Sequence, residues 1–541
     1  MPFKLHLPDI PETARTPLVD ELLGVIEQLV QQSNRQTETI QQLRDEIAIL
    51  KGEKAKPVFK PSGMDQNATQ QPDGHDEANP DHPPKQRPGS QKRIKKKSLP
   101  IHETRIAVPR NKIPEGSVLK GYDDFIVQDL RFEAHNIRYR RELWLAPDGT
   151  WLRGELPDYQ KGLGFGPTLR QFVLYQHHHC QVTQPLIYEQ LQEIGVDIST
   201  GQINALLTQR TERFITEKNE ILRAGLHYSH YINVDDSGAR HQGKNGYVTH
   251  IGNVAFACFC STASKSRINF LELLQAGSLR YAYNEFALDY YLTQGLPKAL
   301  LNKLQAHAVI VDTLAWEELL DRLAIQTERH RRIATEGALL GGLIESGFNA
   351  ERVIVSDGAG QFAILLHALC WVHAERLIHK TIPLNDQHRE DIAKVRSELW
   401  TLYADLKHFC ANPTPALATA LEERFEAIFT QKTRFQTLNQ LLKRLLKRKN
   451  ELLLVLRHPQ IPLHNNLSEG DIREHVKKRK ISGGTRSDLG RQCRDAFTSL
   501  KKTCRKHGLS FWDYLGDRIK DIGDIAPLPD LVRDCLLDMR Y

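Results

Sequence analysis

Two short apolar runs that each end in an aspartate place the tightest constraint on the fold of this chain of 541 residues. Residues 231–234 (Tyr-Ile-Asn-Val) precede Asp235, and residues 353–356 (Val-Ile-Val-Ser) precede Asp357. Short apolar runs rich in β-branched residues are typical of buried strands. A carboxylate just past a buried strand is held rigidly at the edge of a sheet, which is what a shared divalent ion requires.

A third acidic residue, Glu469, opens a basic, helix-like segment just after His464-Asn465-Asn466. From residue 470 to residue 510 the chain has twelve Lys or Arg and four Asp or Glu, so this segment carries +8 and the rest of the chain about −1. Concentrated positive charge beside a candidate acidic site indicates nucleic acid as the partner. The alternative is a solvated helix face without a ligand.

The composition argues against a membrane or secreted protein. No run of eighteen apolar residues is present, and the N-terminus lacks the apolar stretch of a signal peptide, so we expect a cytoplasmic protein with no membrane partner. The eight cysteines include no C-x-x-C pair, which argues against a zinc ribbon and predicts reduced, mostly buried thiols.

Residues 1–53 are predicted to form a coiled-coil dimerisation helix. Between residues 17 and 52, heptad positions follow one another three and four apart, at 19, 22, 26, 29, 33, 36, 40, 43, 47 and 50. The first position of each heptad is mostly β-branched and the fourth mostly leucine, which favours a two-stranded coil. We therefore expect a homodimer or higher oligomer through residues 17–52, with an intramolecular helical hairpin as the alternative.

Two segments of different character follow the coil. Residues 54–104 have the composition of a disordered basic linker, and seven basic residues with no acid lie between 85 and 97. An arm of this kind commonly follows DNA phosphates, although a solubilising linker is the alternative. Its candidate DNA contacts are Lys92, Arg93, Lys95, Lys96 and Lys97. Residues 105–160, with short β-like runs and the turn at residues 147–149, predict a small β subdomain.

Residues 161–225 are predicted to be helical and to contain a helix-turn-helix. An amphipathic segment over residues 184–194 is broken by Gly195, and Ser199 begins a second helix with Gln202 at capping-box spacing. A helix, a short glycine-containing turn and a second helix form the DNA-binding pattern, although many helical hairpins share it. Thr200, Gln202 and Asn204 are the predicted DNA contacts.

The pattern changes to strands after residue 230. Closely spaced candidates at 231–234, 247–252 and 254–260 predict an antiparallel meander, and helices follow as far as the strand before Asp357. This is the element order of an RNase H-like core. We predict an α/β multidomain protein, with the first part of the core over 226–384, a helical insertion over 385–458 and the C-terminal part over 459–541.

Four short motifs carry a resemblance to a known family. They are Val234-Asp-Asp-Ser-Gly238 with Gly243-Lys-Asn-Gly-Tyr247, then Ser356-Asp-Gly358, Cys370-Trp-Val-His-Ala-Glu-Arg376, and Asn465-Asn-Leu-Ser-Glu469 with Arg479-Lys480 and Ser482-Gly-Gly484. In this order, and with the layout around them, they resemble bacterial DDE transposases of the insertion-sequence family sixty-six. The resemblance spans essentially the whole chain.

The resemblance implies divalent-metal-dependent cleavage at the ends of an insertion sequence and strand transfer into target DNA. Asp235, Asp357 and Glu469 would be both catalytic residues and ligands of two Mg²⁺ ions, for which Mn²⁺ can substitute. Terminal inverted repeats, target DNA and small accessory proteins would be the partners. Supporting roles near the site fall to Cys370, His373, Asn465 and Asn466. Further DNA contacts are expected at Lys244, Arg473, Lys477, Lys478, Arg479 and Lys480.

Departures from the family pattern keep alternatives open. Residues 100–160 contain no cysteine, so we expect no zinc module there, and His464 and Gly470 stand where the family has Asp and Arg. Asp312 follows a similar apolar run and is a rival second ligand. The alternative functions are a catalytically inactive or repurposed dimeric DNA-binding protein and a structure-directed nuclease of the same fold.

Overall fold

The computed structural model describes residues 126–157 and 164–539, the latter without positions 278, 307–309 and 311. It also describes residues 101–105 and scattered positions within 16–36 and 116–124. By its contacts the chain divides into two units, residues 1–36 with 133–541 and residues 37–132. Most of the predicted linker and the second half of the predicted coiled coil lie outside the described residues.

The first unit contains all the described helices and strands. The strands are β1 (Leu143–Leu145), β2 (Trp151–Arg153), β3 (Tyr231–Gly238), β4 (Tyr247–Gly252), β5 (Ala257–Thr262), β6 (Val353–Ser356) and β7 (Leu366–Leu369). The helices of the first half are α1 (Pro167–His178), α2 (Gln184–Glu193), α3 (Thr200–Thr208), α4 (Glu212–Tyr228), α5 (Arg267–Leu274), α6 (Glu285–Thr293), α7 (Lys298–Gln305), α8 (Thr313–Arg322) and α9 (Glu328–Glu345). Those of the second half are α10 (Trp371–His379), α11 (Asp386–Ala411), α12 (Pro415–Thr430), α13 (Gln436–Leu446), α14 (Lys449–Leu452), α15 (Asn466–Ser482), α16 (Asp488–Lys506), α17 (Phe511–Lys520) and α18 (Leu528–Asp538).

Five strands form one mixed sheet in the order β5-β4-β3-β6-β7. β3, β4 and β5 are antiparallel neighbours, whereas β6 and β7 run parallel to β3. The predicted antiparallel meander is therefore present, although β3 continues to Gly238, and the predicted strand before Asp357 is β6. β5 begins only at Ala257, because the Asn253 side chain closes a turn by accepting the N–H of Ala255 at 2.9 Å.

The two faces of the sheet are covered by different groups of helices. Side chains alternate along each strand, so Ile232 and Val234 pack into one large core with α1–α9 and α16–α18. Val353 and Val355 face the other way and pack with α10 and with α11–α14, which lie within the range of the predicted helical insertion. Both strands are buried on both faces, which explains their continuously apolar sequences.

The predicted helix-turn-helix segment contains four helices, α1 to α4. The capping box at the start of α3 is confirmed, because the Ser199 side chain accepts the N–H of Gln202 and the Gln202 side chain accepts the N–H of Ser199. Gly195 ends α2 with a φ of 85°, a left-handed conformation that glycine adopts without strain.

The region before α1 differs from its prediction. In residues 105–160 the described part contains only the hairpin β1–β2, and the side chains of both strands are exposed. The strand begins at Leu143 instead of covering the longer run from residue 138. A sheet of two three-residue strands has too little surface to bury a core by itself, so the described residues show one hairpin of the predicted subdomain and no core.

The described positions between 18 and 33 are helical, as the heptad pattern predicts. Two of the heptad leucines are mostly exposed, with Leu22 at 53% and Leu29 at 59%. Among the described helices, none has the length and apolar character needed to cross a bilayer.

Candidate active site

The register of the sheet brings Asp235 and Asp357 to neighbouring strands. Asn233 on β3 pairs with Val355 on β6, and the two aspartates each lie two residues further along. Because β3 and β6 are parallel, both aspartates lie at the same edge of the sheet, just beyond the last residue pair that joins the two strands. Asp235 is partly buried and accepts the N–H of Asp236 at 2.8 Å. Asp357 is exposed and accepts the N–H of Ala359 at 2.9 Å.

Glu469 lies in the first turn of α15, which crosses the sheet over β3 and β4. The helix is fixed at its start by Asn465, which is 0% exposed. The Asn465 side chain donates to the carbonyl oxygen of Val234 at 2.8 Å and accepts from the Asn233 side chain at 2.9 Å. Val234 directly precedes Asp235, so this amide fixes the position of Glu469 relative to Asp235.

A second contact holds α15 one turn further on. His250 on β4 is fully buried, and its Nδ1 lies 2.6 Å from the Ser468 hydroxyl oxygen. Its Nε2 lies 3.3 Å from a carboxylate oxygen of Asp471. The residues predicted from the sequence to form the site did not include Asn233, His250, Ser468 or Asp471. Strand alternation puts Asn233 on the same face as Asp235, and the β3–β4 register puts His250 opposite Asp235. Alternation is thus a signal in the sequence for Asn233, whereas His250, Ser468 and Asp471 depend on tertiary pairing.

The three acidic residues influence one another electrostatically. Burial raises the pKa of Asp235 to about 7, and the negative charges of Asp357 and Glu469 add to the increase. The hydrogen bond from Asp236 opposes it. Two negative charges close to a partly buried carboxyl group disfavour its ionised form. The ionisation of Asp235 therefore depends on the charges of Asp357 and Glu469.

Asp236 lies on the opposite face of β3 and has partners of its own. Its carboxylate accepts from the Thr249 hydroxyl at 2.5 Å and from the Gln361 side chain at 2.8 Å. Burial raises the pKa of Asp236, and these hydrogen bonds oppose the increase. Gln361 follows Asp357 by four residues, so Asp236 ties the segment after β6 back to β3.

Cys370 and His373 lie beside the carboxylates at the start of α10. The Cys370 sulfur accepts the N–H of Asn465 at 3.2 Å, and burial raises the pKa of this thiol to about 11. His373 Nε2 lies 3.6 Å from Glu469 Oε1. Burial lowers the pKa of His373, and the charges of Glu469 and Asp357 oppose this decrease. Cys370 therefore fixes the start of α15, whereas His373 borders the candidate ligand Glu469.

The carboxylate site has the donor chemistry of a divalent-ion site. Glu469 Oε1 is buried and accepts no hydrogen bond in the described part of the chain, so an acceptor there lacks a partner. Mg²⁺ prefers carboxylate oxygens, and positive charge would relieve the repulsion at Asp235. Across the described residues, no three His, Cys, Asp or Glu side chains already form a group that could hold one ion. The residues fit the ion, and the side chains would have to close around it.

The rival residue Asp312 has a different role. Its carboxylate accepts the N–H groups of Leu314 at 3.2 Å and Ala315 at 3.3 Å, which makes it the N-cap of α8. It is exposed and lies outside the five-stranded sheet. The apolar run alone could not separate it from Asp357, and the preference for Asp357 comes from Gly358 and the Cys370 motif that follow it as in the family.

The predicted DNA contacts on α15 divide between two faces of the helix. Arg473, Lys477 and Lys480 are exposed, and their spacing puts them within about 80° of Glu469 around the helix axis. We call these three residues the cation stripe. It runs away from the carboxylate site along the outer face of α15.

Lys478 does not meet the prediction of a DNA contact. Only 5% of it is exposed, and its ammonium group donates to the carbonyl oxygen of His177 at 2.7 Å. Burial and nearby cations lower the pKa of Lys478 to about 7. It lies on the opposite side of α15 from Glu469. The number of basic residues in the segment does not show which face of the helix each one occupies, so the sequence predicted a DNA contact here. Arg479 is partly buried and donates to the carbonyl oxygen of Gly238.

Much of the basic segment is paired internally. Lys501 lies 2.7 Å from Glu474, whereas Lys502 and Lys506 lie 3.3 and 2.9 Å from Asp471. These contacts join α15 to α16 and hold the pKa of Glu474 at about 2. The net charge of the segment therefore overstates the number of cations available to DNA.

The other predicted DNA contacts are dispersed. Thr200 and Asn204 are exposed on α3, whereas the Gln202 side chain is engaged in the capping box. Lys244 is exposed in the turn between β3 and β4. The five linker residues from Lys92 to Lys97 lie outside the described residues.

We predict that Asn465→Ala destabilises the protein by about 2–4 kcal/mol, because it leaves the buried side chain of Asn233 and the carbonyl oxygen of Val234 without partners. The neighbouring Asn466 is exposed, so Asn466→Ala is the matched control and should change the free energy of unfolding by less than about 0.5 kcal/mol. Urea denaturation of both variants checks this. Equal effects of the two substitutions would contradict the anchoring role of Asn465.

Asp235→Asn should stabilise the metal-free protein, and more so as the pH rises. The folded-state pKa of about 7 exceeds the usual value of 3.8, so ionising Asp235 costs stability progressively from about pH 4 to pH 7. We expect a gain of about 1–3 kcal/mol at pH 8 and little at pH 4. Urea denaturation in EDTA at both pH values measures it. A gain independent of pH would show that charge repulsion is not the cause.

Comparison with known proteins identifies the family of the chain. The sequence profile described as "Transposase IS66 family" matches residues 307–493, a range that includes Asp357 and Glu469. The chain is also 44% identical over 323 residues to the uncharacterized protein y4jO of Sinorhizobium fredii, covering 99% of that protein and 58% of this chain. A match of this extent shows common descent, and the chain belongs to the IS66 transposase family.

Proposed function

We propose that this protein is a metal-dependent DNA transposase, which cleaves phosphodiester bonds at insertion-sequence ends and joins them to target DNA. The observation that carries the proposal is the convergence of Asp235 and Asp357 on neighbouring parallel strands, with the helix of Glu469 fixed over them by Asn465. Membership of the IS66 transposase family supports the same reaction class.

The side chains divide the chemical task between them. Asp235, Asp357 and Glu469 would hold two Mg²⁺ or Mn²⁺ ions, which when bound lower the pKa of the attacking hydroxyl and stabilise the leaving 3′-oxygen. Water first replaces the bridging oxygen at the scissile phosphate and releases a 3′-hydroxyl. That hydroxyl then replaces an oxygen at a target phosphate, so one phosphodiester bond breaks and one forms.

His373 and the cation stripe would position the reacting groups. His373 lies 3.6 Å from Glu469 and limits the orientations that this carboxylate can adopt. The stripe lies on the same side of α15 as Glu469, so a DNA backbone following it reaches the carboxylates. Contacts of this kind give affinity and salt dependence and do not read the sequence.

The wider architecture is part of the proposal. We assign the mixed sheet and its helices to an RNase H-like core, interrupted by the helical insertion α11–α14. The α2–α3 pair would be a helix-turn-helix that reads the terminal repeats through Thr200 and Asn204. Residues 17–52 would form a coiled coil between two copies, which the exposed Leu22 and Leu29 support. Target DNA and small accessory proteins would complete the assembly in the bacterial cytoplasm, at the nucleoid.

A dimeric DNA-binding protein without catalysis is the second candidate. The observation that favours it is the absence, within the described ranges, of three acidic or other ligand side chains already close enough to hold an ion. This candidate and the transposase share the DNA-binding surface and differ only in whether the carboxylates close around a metal. Cleavage assays separate them.

Asp357→Asn and Glu469→Gln should each lower Mg²⁺-dependent cleavage of DNA bearing the element's ends by at least about 100-fold, because each removes a metal ligand, and leave DNA binding intact. The matched control is Asp312→Asn, since Asn caps a helix as well as Asp does, and it should cleave like the wild type. Nicking of end-labelled duplexes is the measurement. Loss in the control, or none in the two site variants, would refute the assignment. No cleavage by the wild type with Mg²⁺ or Mn²⁺ would favour the second candidate.

Replacing both Arg473 and Lys477 by Gln should weaken binding of duplexes of any sequence to a similar degree, because the stripe contacts phosphates. The slope of log affinity against log salt concentration should fall by about 2, one for each phosphate that the variant no longer neutralises. Fluorescence anisotropy over a salt series measures the slope. Lys298→Gln, which changes an exposed lysine on α7, is the control. A sequence-dependent loss, or an unchanged slope, would contradict the proposed role of the stripe.

A further inference from the structure

A pocket of about 150 Å³ lies beside α15, away from the carboxylate site. The turn between β3 and β4 forms one wall, the end of β5 a second, and α15 with the start of α16 the remainder. Its chemically active lining includes Lys244, Tyr247, His475, Arg491 and Arg494. The family resemblance implies a DNA contact at Lys244, but it assigns no role to His475 or Arg494, and the carboxylate chemistry does not involve the pocket.

The charge of the pocket is positive. Arg494 donates to the carbonyl oxygen of Gly483 at 3.0 Å, and within the described ranges it makes no ion pair with an acidic side chain. The exposed Lys244 side chain has none there either. Asp488 is the acid at the rim, and it lies 2.9 Å from Arg491 and 3.2 Å from His241. The basic side chains of the pocket therefore outnumber the acidic side chain that contacts them, and this excess of positive charge favours the binding of an anion.

His475 supplies an independent indication of a ligand. It is 1% exposed and lines the pocket, and neither of its ring nitrogens has a hydrogen-bond partner among the residues that the structure describes. Buried polar atoms are normally paired, so an unpaired ring beside a cavity indicates a missing partner. Burial together with Arg494 and Arg479 lowers the pKa of His475 to about 3, so the ring is neutral at neutral pH and can donate one N–H.

We propose that this pocket binds a backbone phosphate of the DNA, held by Lys244 and Arg494 and by an N–H of His475. His475 lies six residues after Glu469 on the same helix, about 9 Å further along the axis and about 120° around it. The phosphate in the pocket is therefore not the one that reacts, and it belongs to the strand several nucleotides away. The inference rests on the proposed function only in taking DNA as the ligand.

The test uses the full-length protein and a 30-base-pair duplex of arbitrary sequence, in EDTA so that cleavage plays no part. Lys244→Gln and Arg494→Gln should each weaken binding about three- to tenfold and lower the salt slope by about 1. Lys298→Gln should match the wild type. Lys244 is exposed in a turn, so Lys244→Gln keeps the test decisive even where Arg494→Gln fails to fold. An unchanged slope in folded Lys244→Gln overturns the proposal.

A second arm identifies the source of the phosphate. Inorganic phosphate is titrated into the wild type and Lys244→Gln at constant ionic strength, and the melting temperature is followed. A larger shift for the wild type, together with the lower salt slope of the variant on DNA, supports a backbone phosphate. If phosphate raises the melting temperature more for the wild type but the salt dependence of DNA binding is the same in both proteins, the pocket binds a free anion, and DNA is not its ligand. Because neither arm needs catalysis, an inactive protein that binds DNA would fail the cleavage test and still pass this one.

Discussion

The buried amide of Asn465 is the interaction on which the arrangement of the site depends. It bonds to the carbonyl oxygen of Val234 and to the side chain of Asn233, and its own N–H bonds to Cys370. One residue therefore joins β3, the start of α10 and the start of α15, the elements that carry Asp235, His373 and Glu469. Because Asn465 is fully buried, its amide needs these partners, and the same hydrogen bonds set the position of Glu469 relative to Asp235.

The helix α15 serves two purposes because its faces differ. One face is buried on the sheet and against α1 and α16, and its charged residues are paired there: Asp471 with Lys502 and Lys506, and Glu474 with Lys501. The outer face carries Glu469 and the cation stripe. Charged residues that look equivalent in sequence are thus divided into buried residues with partners inside the protein and residues exposed on the surface. This division also explains why Lys478, in the middle of a basic run, is not available to DNA.

The chemical pattern of the site could be predicted from sequence to a large extent. Apolar runs ending in Asp235 and Asp357 predict strands with carboxylates at their ends, and the structure has β3 and β6 in those positions. The meander of β3, β4 and β5, the capping box at Ser199 and the helical insertion also follow from local patterns. The small β subdomain stays a prediction, because the described residues of 105–160 contain only the hairpin β1–β2, and β-like composition at residues 138–145 cannot show whether other strands complete a sheet.

The sequence by itself determined which segments are strands and helices, where the carboxylates lie relative to them, and which family the chain belongs to, since these depend on local periodicity and short motifs. Only the tertiary structure decided that Asp357, and not Asp312, is the neighbour of Asp235. The reason is the parallel pairing of β3 with β6 across more than a hundred residues, which no local pattern encodes. The same holds for His250, whose role arises from its contacts with Ser468 and Asp471, which reach it only when α15 packs on the sheet.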